Sequence, residues 1–416
     1  MNYSARRENH LKRLPKRSLS LFFSGRAPKK TVDRNYPFFT DRNFLYLTGL
    51  ESEDAALLLV KGDSRTGAYL FVEERDAFRT LWDGPVMSFD EIAAASGIPR
   101  EHIYRKEELK EHLNRLLSTS RRAVFGPLDR IYLDLEHSEV DQLGSIESAF
   151  AHYVQDRYPF LEIARSTYQL AEARMVKDKD EIERTKEAIA ITAEALRSAA
   201  RSLKDGRYEY EAEAEFNHVL DRKQLEPAFE TIVAAGSRAT TLHYSDNDQP
   251  MREGDLVLFD LGVRYRNYNS DISRVFPVAK SFTERQKAIY EVVLEANKRT
   301  IEWLRPGVTF REFNDYGRAI LIEGAKRLKL IESDEEIRRY YYHSLGHYLG
   351  LNVHDVANHD LVIPEGAIIT VEPGLYIAEE KIGIRIEDDV LVTKDGAINL
   401  SAGIPKEIKD IEALRG

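Results

Sequence analysis

The chain has 416 residues, 43% hydrophobic and 31% charged, which is ordinary for a globular enzyme and long enough for two or three domains with ample core. A formal net charge of −10 leaves no basic face for nucleic acid, and zero cysteines exclude disulfides and thiolate metal sites while suiting a reducing cytoplasm without demanding one. Apolar runs such as AALLLV at 55–60 fall far below the roughly 20 residues of a membrane span, so neither nucleic acid nor membrane is expected as a partner. The start, MNYSARRENHLKRLPKRSLSLFF, is basic, and its only apolar stretch is short and broken by serines, unlike a secretory signal. Its Arg-rich, acid-poor character leaves a mitochondrial presequence as an alternative.

Strand-like runs (SLSLFFSG, DAALLLVKG, GAYLFVEE, RAVFGPL) then alternate with helical ones (FDEIAAASG, EELKEHLNRLLSTS), which predicts an α/β domain over residues 1–172. The pattern changes at ARMVKDKDEIERTKEAIAITAEALRSAARSL. Asp178 and Glu181 have capping-box spacing, and Ile182, Ile189, Ala193, Leu196 and Ala200 recur at helical period, so an amphipathic helix opens a second domain over 173–416. Further helices are expected at 282–305 and 311–328, beside carboxylate-bearing hairpins, giving an α+β domain.

Asp260, Asp271, His347, Glu372 and Glu387 lie in this last part, each in a short apolar or Gly-rich stretch. Asp260 and Asp271 are 11 residues apart around Tyr265-Arg266, and Glu372 and Glu387 are 15 apart around Glu379-Glu380. β-Branched and aromatic residues flank each acid, as in strands beside a connection. Residues equidistant from a hairpin turn face each other with Cβ atoms roughly 5 Å apart, so each pair is expected to sit directly opposed. Any one of these acids alone would pass for a surface residue. Together they would repel and be costly to bury unless a cation compensated, and divalent metal supplies that charge. Oxygen-rich ligation with one His and no Cys suits Mn²⁺, with Co²⁺ or Zn²⁺ as less selective alternatives, and paired metals about 3.5 to 4 Å apart are an arrangement aminopeptidases use.

His343 and His347 have the i, i+4 spacing of a helical zinc site, but Gly346 and Gly350 argue against a helix. The segment is expected to be strand or loop, its glycines admitting substrate backbone. Arg385, two residues before Glu387, and Tyr376, four after Glu372, should share the faces of those acids, with Arg385 orienting the carboxylates and balancing their charge. Either could equally be cross-strand packing.

These segments resemble the pita-bread metallopeptidases, and within them the Xaa-Pro aminopeptidases (aminopeptidase P) and prolidases. LFDLGVRYRNYNSDISRVFP, HSLGHYLGLNVHDV, TVEPGLYI and IGIRIEDD are similar to the family's metal-binding segments, and NYPFFTDRNFLYLTGL at 35–50 is similar to the aminopeptidase P amino domain. That amino domain begins with a basic amphipathic helix, which favours a helix over a presequence at the start. The resemblance implies an amino-terminal α/β domain of creatinase/aminopeptidase P type, followed by an α+β pita-bread catalytic domain in a cytoplasmic homodimer or homotetramer. It further implies two divalent ions per subunit. Asp260 would bind one through both oxygens, Asp271 and Glu387 would bridge the two, and His347 and Glu372 would complete the second. A water or hydroxide between the ions would attack, with Glu372 as general base. By the same resemblance His243 and His354 would hydrogen-bond the scissile carbonyl or shuttle a proton, and His343 would contact the proline. Tyr376 would form a wall of the site. Trp82, in TLWDGP, matches an aromatic that closes a neighbouring subunit's entrance; a core tryptophan is the competing reading.

The implied substrate is a peptide with proline second. An Xaa-Pro bond is a tertiary amide with no N–H and a fixed φ, so enzymes that grip an extended backbone cannot seat it. The chain departs from larger bacterial relatives in VANHDLVIPEGAIITVEPG, where many carry a substrate-contacting arginine and this sequence has none. A dipeptidase needs a cation for the free carboxylate, so the absence favours the aminopeptidase, with prolidase as runner-up. A metal-free creatinase-like enzyme or binding protein would lack the five ligands, and methionine aminopeptidases ordinarily lack the amino domain.

Overall fold

The computed structural model describes residues 1–118, 124–136 and 144–415. Among the described residues no helix is long and apolar enough to cross a membrane. The chain divides into two compact units, Met1–Ala173 and Arg174–Gly416.

In the first unit, α1 (Tyr3–Arg13) leads into β1 (Ser18–Phe23), and α2 (Arg42–Thr48) precedes the hairpin of β2 (Ala56–Lys61) and β3 (Thr66–Val72). Then follow α3 (Ala77–Asp83), α4 (Phe89–Ser96), β4 (Ile103–Arg105), α5 (Leu109–Leu117), β5 (Arg130–Leu133), α6 (Ile146–Arg157) and β6 (Glu162–Arg165). The strands form one mixed sheet in the order β4-β3-β2-β1-β5-β6, antiparallel at its centre and parallel toward both edges. Leu19, Leu21, Leu58, Phe71, Ile131 and Leu133 are fully buried against its helices. The strand expected at RAVFGPL is not there. Residues 122 and 123 lie outside the described residues, and 124–128 form a turn and coil, because Gly126 takes φ +75° and Pro127 has no N–H for a ladder. The strand begins at Arg130. Helix α3 buries none of its residues: Phe78 is 68%, Leu81 85% and Trp82 77% exposed.

α7 (Thr167–Met175) spans the division, and α8 (Lys179–Ser202) starts at the capping box of Asp178 and Glu181. The second unit continues with α9 (Glu209–Asp221), β7 (Glu226–Pro227), β8 (Ile232–Ala235), β9 (Leu256–Leu261), β10 (Val263–Tyr265), β11 (Tyr268–Asn269) and β12 (Ile272–Pro277). Helices α10 (Glu284–Trp303) and α11 (Phe310–Arg327) each open on a Thr capping box. Four strands follow, β13 (Ile368–Val371), β14 (Gly374–Ile377), β15 (Ile382–Arg385) and β16 (Asp388–Thr393), then β17 (Gly396–Asn399) and α12 (Ile408–Arg415). All pairing among these strands is antiparallel. The core combines helix residues Leu196, Phe216, Tyr290 and Leu321 with strand residues Phe259, Phe276 and Ile384.

The two hairpins differ from the symmetric picture in one respect. Across the second, β13 with β16 and β14 with β15 keep one register, and the ladder breaks only around residues 372–373 and 386–387, which leaves Glu372 opposite Glu387. Across the first, Asp260 faces Ser273 rather than Asp271. The turn is Arg266-Asn267, both with positive φ, flanked by the Tyr265–Tyr268 pair, so the centre lies one residue later than Tyr265-Arg266. A two-residue hairpin turn of this hand requires left-handed conformations at both positions, and Asn tolerates them readily.

Candidate metal centre

The hairpins meet edge to edge: Glu387 N–H donates to the Ser273 carbonyl (3.1 Å), and Asp271 N–H donates to Asp389 Oδ2 (3.1 Å). The His347 segment lies along β13, with Thr370 N–H donating to the His347 carbonyl (2.9 Å) and Glu372 N–H to that of Leu345 (2.8 Å). It is a loop with one bridge, Tyr348 to Ile369, and no helix. The glycines here are required by the chain's own packing. A Cβ on Gly346 would stand 2.0 Å from the Thr370 carbonyl oxygen, and one on Gly350 2.3 Å from Asp355 Oδ2.

This folding brings Asp260, Asp271, His347, Glu372 and Glu387 to the wall of one cavity of about 370 Å³, together with His243, His343, His354 and Arg385. Ligand atoms of Asp271, His347 and Glu387 lie within 4.8 Å of one another, close enough to share an ion. Asp260 and Glu372 flank that trio. His347 Nδ1 is 3.0 Å from the Tyr348 carbonyl, to which it can only donate. In the tautomer that leaves Nε2 unprotonated, its lone pair faces Asp271 Oδ2 at 3.4 Å and Glu372 Oε1 at 3.7 Å. Lone pairs aimed at one another need a cation between them, and an imidazole oriented by a backbone carbonyl is the usual state of a metal-ligating His. Asp260 adds a buried Oδ1 with no hydrogen-bond partner. The residues present therefore fit a divalent cation.

Charge balance points the same way. Burial and the neighbouring Glu387, Asp260 and Asp389 raise the Asp271 carboxyl well above its ordinary range. Burial and Glu387 do the same to Glu372, and burial and Asp260 push Glu387 up to about 7. Arg385 and His347 oppose them. Burial would lower the Arg385 pKa, but Tyr376, Asp260, Glu387 and Glu372 hold it charged. Its guanidinium grips Asp260 Oδ2 (2.5 Å), Ser273 Oγ (2.8 Å) and Tyr376 Oη (3.0 Å). Arg385 thus orients Asp260 directly and reaches Glu387 through Ser273, whose hydroxyl donates to Glu387 Oε2 (2.7 Å), with no direct hydrogen bond to Asp271 or Glu387 among the described residues.

Tyr376 Oη accepts from Arg385 and so donates to His343 Nε2 (2.8 Å), while His343 Nδ1 donates to the Ser344 carbonyl (2.7 Å). That pattern requires a neutral ring, and burial with nearby Arg385 lowers the His343 pKa to about 4. His354, 4.2 Å from His347 between ring centres, is lowered to about 4 by burial and the neighbouring His347 and His243. His243 is exposed at the cavity mouth. Trp82 belongs to the other unit, exposed beside Phe78, and is no core tryptophan.

Several contributors carry no motif of their own. Ser273 and Thr370, whose Oγ1 accepts from His347 N–H (3.0 Å), look like ordinary strand residues in the sequence. Asp388 and Asp389 stand in the run EDD, yet Asp388 turns away to a buried pair with Arg274 (2.7 Å) and Lys406 (2.6 Å). Asp355 pairs with Arg174 and Lys177, all three buried. His359 also lines the cavity, packed edge-on to Phe310.

A model of metallopeptidase family M24 matches residues 183–394, and one of the aminopeptidase P N-terminal domain matches residues 3–125. The chain belongs to this metallopeptidase family, its α/β amino-terminal domain preceding an α+β catalytic domain of pita-bread fold. Within the family it is an aminopeptidase. It is 36% identical to the Xaa-Pro aminopeptidase of Haemophilus influenzae, across 99% of this chain and 96% of that one, and 32% identical to the Escherichia coli Xaa-Pro aminopeptidase, across 99% and 97%. Among solved structures, a protein of aminopeptidase P type from Bacillus anthracis matches with TM-score 0.95 and 40% identity, covering 99% of this chain and 97% of that one.

Proposed function

We propose that the enzyme hydrolyses the Xaa-Pro bond and releases the first residue of peptides with proline second. One observation carries this: the five acceptor side chains line a single cavity with four further histidines and a charge-holding arginine. The full-length likeness to relatives named Xaa-Pro aminopeptidase supports it. Asp260 would hold one divalent ion through both oxygens, Asp271 and Glu387 would bridge to a second, and His347 and Glu372 would complete that one, with Mn²⁺ as the favoured metal. Ions so placed lower the pKa of a trapped water enough to give a nucleophile near neutral pH.

The chain's own groups do the rest. Glu372 accepts the water's proton and passes it to the proline nitrogen as the bond breaks. His354 and His243 donate to the scissile carbonyl; His354, neutral at pH 7, does so through an N–H with no charge to neutralise. His343, its ring fixed by Tyr376 and Ser344, bounds the proline. Trp82, exposed on α3, closes the entrance of a neighbouring subunit in a homodimer or homotetramer, and its 77% exposure supports a contact role.

The test strips the protein with chelator, restores Mn²⁺, and offers an Xaa-Pro dipeptide together with an Xaa-Pro-Yaa-Zaa tetrapeptide, with products read by mass spectrometry. Metal-dependent release of Xaa from the tetrapeptide is expected. Cleavage of the dipeptide alone would make the enzyme a prolidase, and cleavage of neither would overturn the proposal.

A further inference from the structure

A second cavity, of about 510 Å³, adjoins the first and shares four wall residues with it: His243, Asp260, Asp271 and His354. Its remaining lining is Ala228, Phe229, Ile232 and Val353, with one charged side chain, Glu230. The wall is rigid where it matters. β7 pairs with β10, the continuation of the strand bearing Asp260, and Ala228 N–H donates to the Gly262 carbonyl (2.9 Å). Gly262 packs on the Ser270 carbonyl, whose oxygen a Cβ would meet at 1.9 Å, and the same Cβ would stand 3.0 Å from the Phe229 ring. Glu230 is exposed, and its carboxylate makes no hydrogen bond or ion pair among the described residues.

His343, Glu372 and Arg385 line only the first cavity, so the proline and the peptide beyond it leave on that side. The side chain of the first residue, on the other side of the scissile bond from the proline, then has the second cavity to enter. We propose that this cavity receives that side chain and that Glu230 makes the enzyme select a basic first residue, lysine or arginine, over an acidic one. The inference rests on the Xaa-Pro reading above. The aliphatic stem of such a residue lies along Phe229 and Val353, and its cation reaches the carboxylate at the rim. At the rim the attraction is worth a few-fold and is screened by salt. An acidic first residue would meet Glu230 at the rim, so rejection adds to attraction.

The experiment measures kcat/KM on the Mn²⁺-loaded enzyme for Lys-Pro-Ala-Ala, norleucine-Pro-Ala-Ala and Glu-Pro-Ala-Ala at low and high ionic strength. Norleucine matches lysine without the charge. The expected lysine to norleucine ratio is about fivefold at low salt and falls at high salt. In Glu230→Gln it falls to within about twofold of one, and in Glu230→Lys the lysine to glutamate preference reverses. A ratio unchanged in both variants overturns the role of Glu230 while leaving Xaa-Pro cleavage intact. Failure to cleave any of the three peptides overturns the Xaa-Pro reading and this inference with it.

Discussion

At the scale of single residues, the site works by denying charge to some groups and forcing it on others. Glu372, the proposed general base, is buried, and burial with the neighbouring Glu387 raises its carboxyl well above the ordinary range in the metal-free protein. Glu372→Gln should keep the fold by circular dichroism and lower kcat by 10²- to 10⁴-fold, the usual worth of a positioned general base; full activity in that variant would remove Glu372 from the role. Tyr376→Phe is a subtler case. It frees His343 Nε2 from its donor and takes one acceptor from Arg385, and its effect should fall on KM more than on kcat, which steady-state kinetics separates. That the four acids and the histidine belong together as candidates was legible because ionisable residues are conspicuous in apolar strands, and the structure lines one cavity with them. Ser273 and Thr370 could not, since a strand hydroxyl looks the same whether it faces solvent or a carboxylate.

At the scale of elements, legibility followed local patterning. The capping box at Asp178 and the helices after Thr283 and Thr309 are written in adjacent residues, and the second hairpin has the symmetry its spacing suggests. The first hairpin shifted because turn chemistry at Arg266-Asn267 sets register, and strand composition on either side is nearly indifferent to a one-residue move of the centre. In the amino-terminal unit, α1 is pinned to β1 through His10, buried with its Nε2 3.0 Å from Ser20 Oγ. Burial and Arg13 lower the His10 pKa from 6.5 to about 4. The folded state then binds this proton less readily than the unfolded one, so the stability it confers is complete above pH 6.5 and is lost as pH falls toward 4. The loss is on the order of 3 kcal/mol at most. Denaturant titrations at pH 7 and pH 4.5 should show it for the wild type, and His10→Gln should flatten that difference.

For the whole molecule, the four carboxylates of the centre outnumber the single Arg385, so metal-free protein carries a repulsion that bound ions remove. Ligand at 100 times its Kd stabilises by about 2.7 kcal/mol, which for a unit of this size is a rise in Tm of roughly 5–10 °C. Calorimetry should show that Mn²⁺ raises the transition of the catalytic unit by this amount and chelator reverses it; a transition indifferent to metal would count against the centre. The sequence changes from alternating strand and helix to long helices near residue 172, and the chain divides into compact units at Ala173 and Arg174. The role of α3 was not readable, because an apolar short helix looks the same whether a core or another surface covers it.

The ion triad of Asp355, Arg174 and Lys177 sets a limit on how far this enzyme can be cut down. The family signature begins at residue 183, and a minimal catalytic fragment would naturally be drawn there. Such a fragment discards both cations that satisfy the wholly buried Asp355 and strands an uncompensated charge one residue from His354. The reacting loop therefore depends on residues upstream of the recognisable catalytic sequence, and a trimmed enzyme that keeps every ligand should still express poorly unless it starts before Arg174.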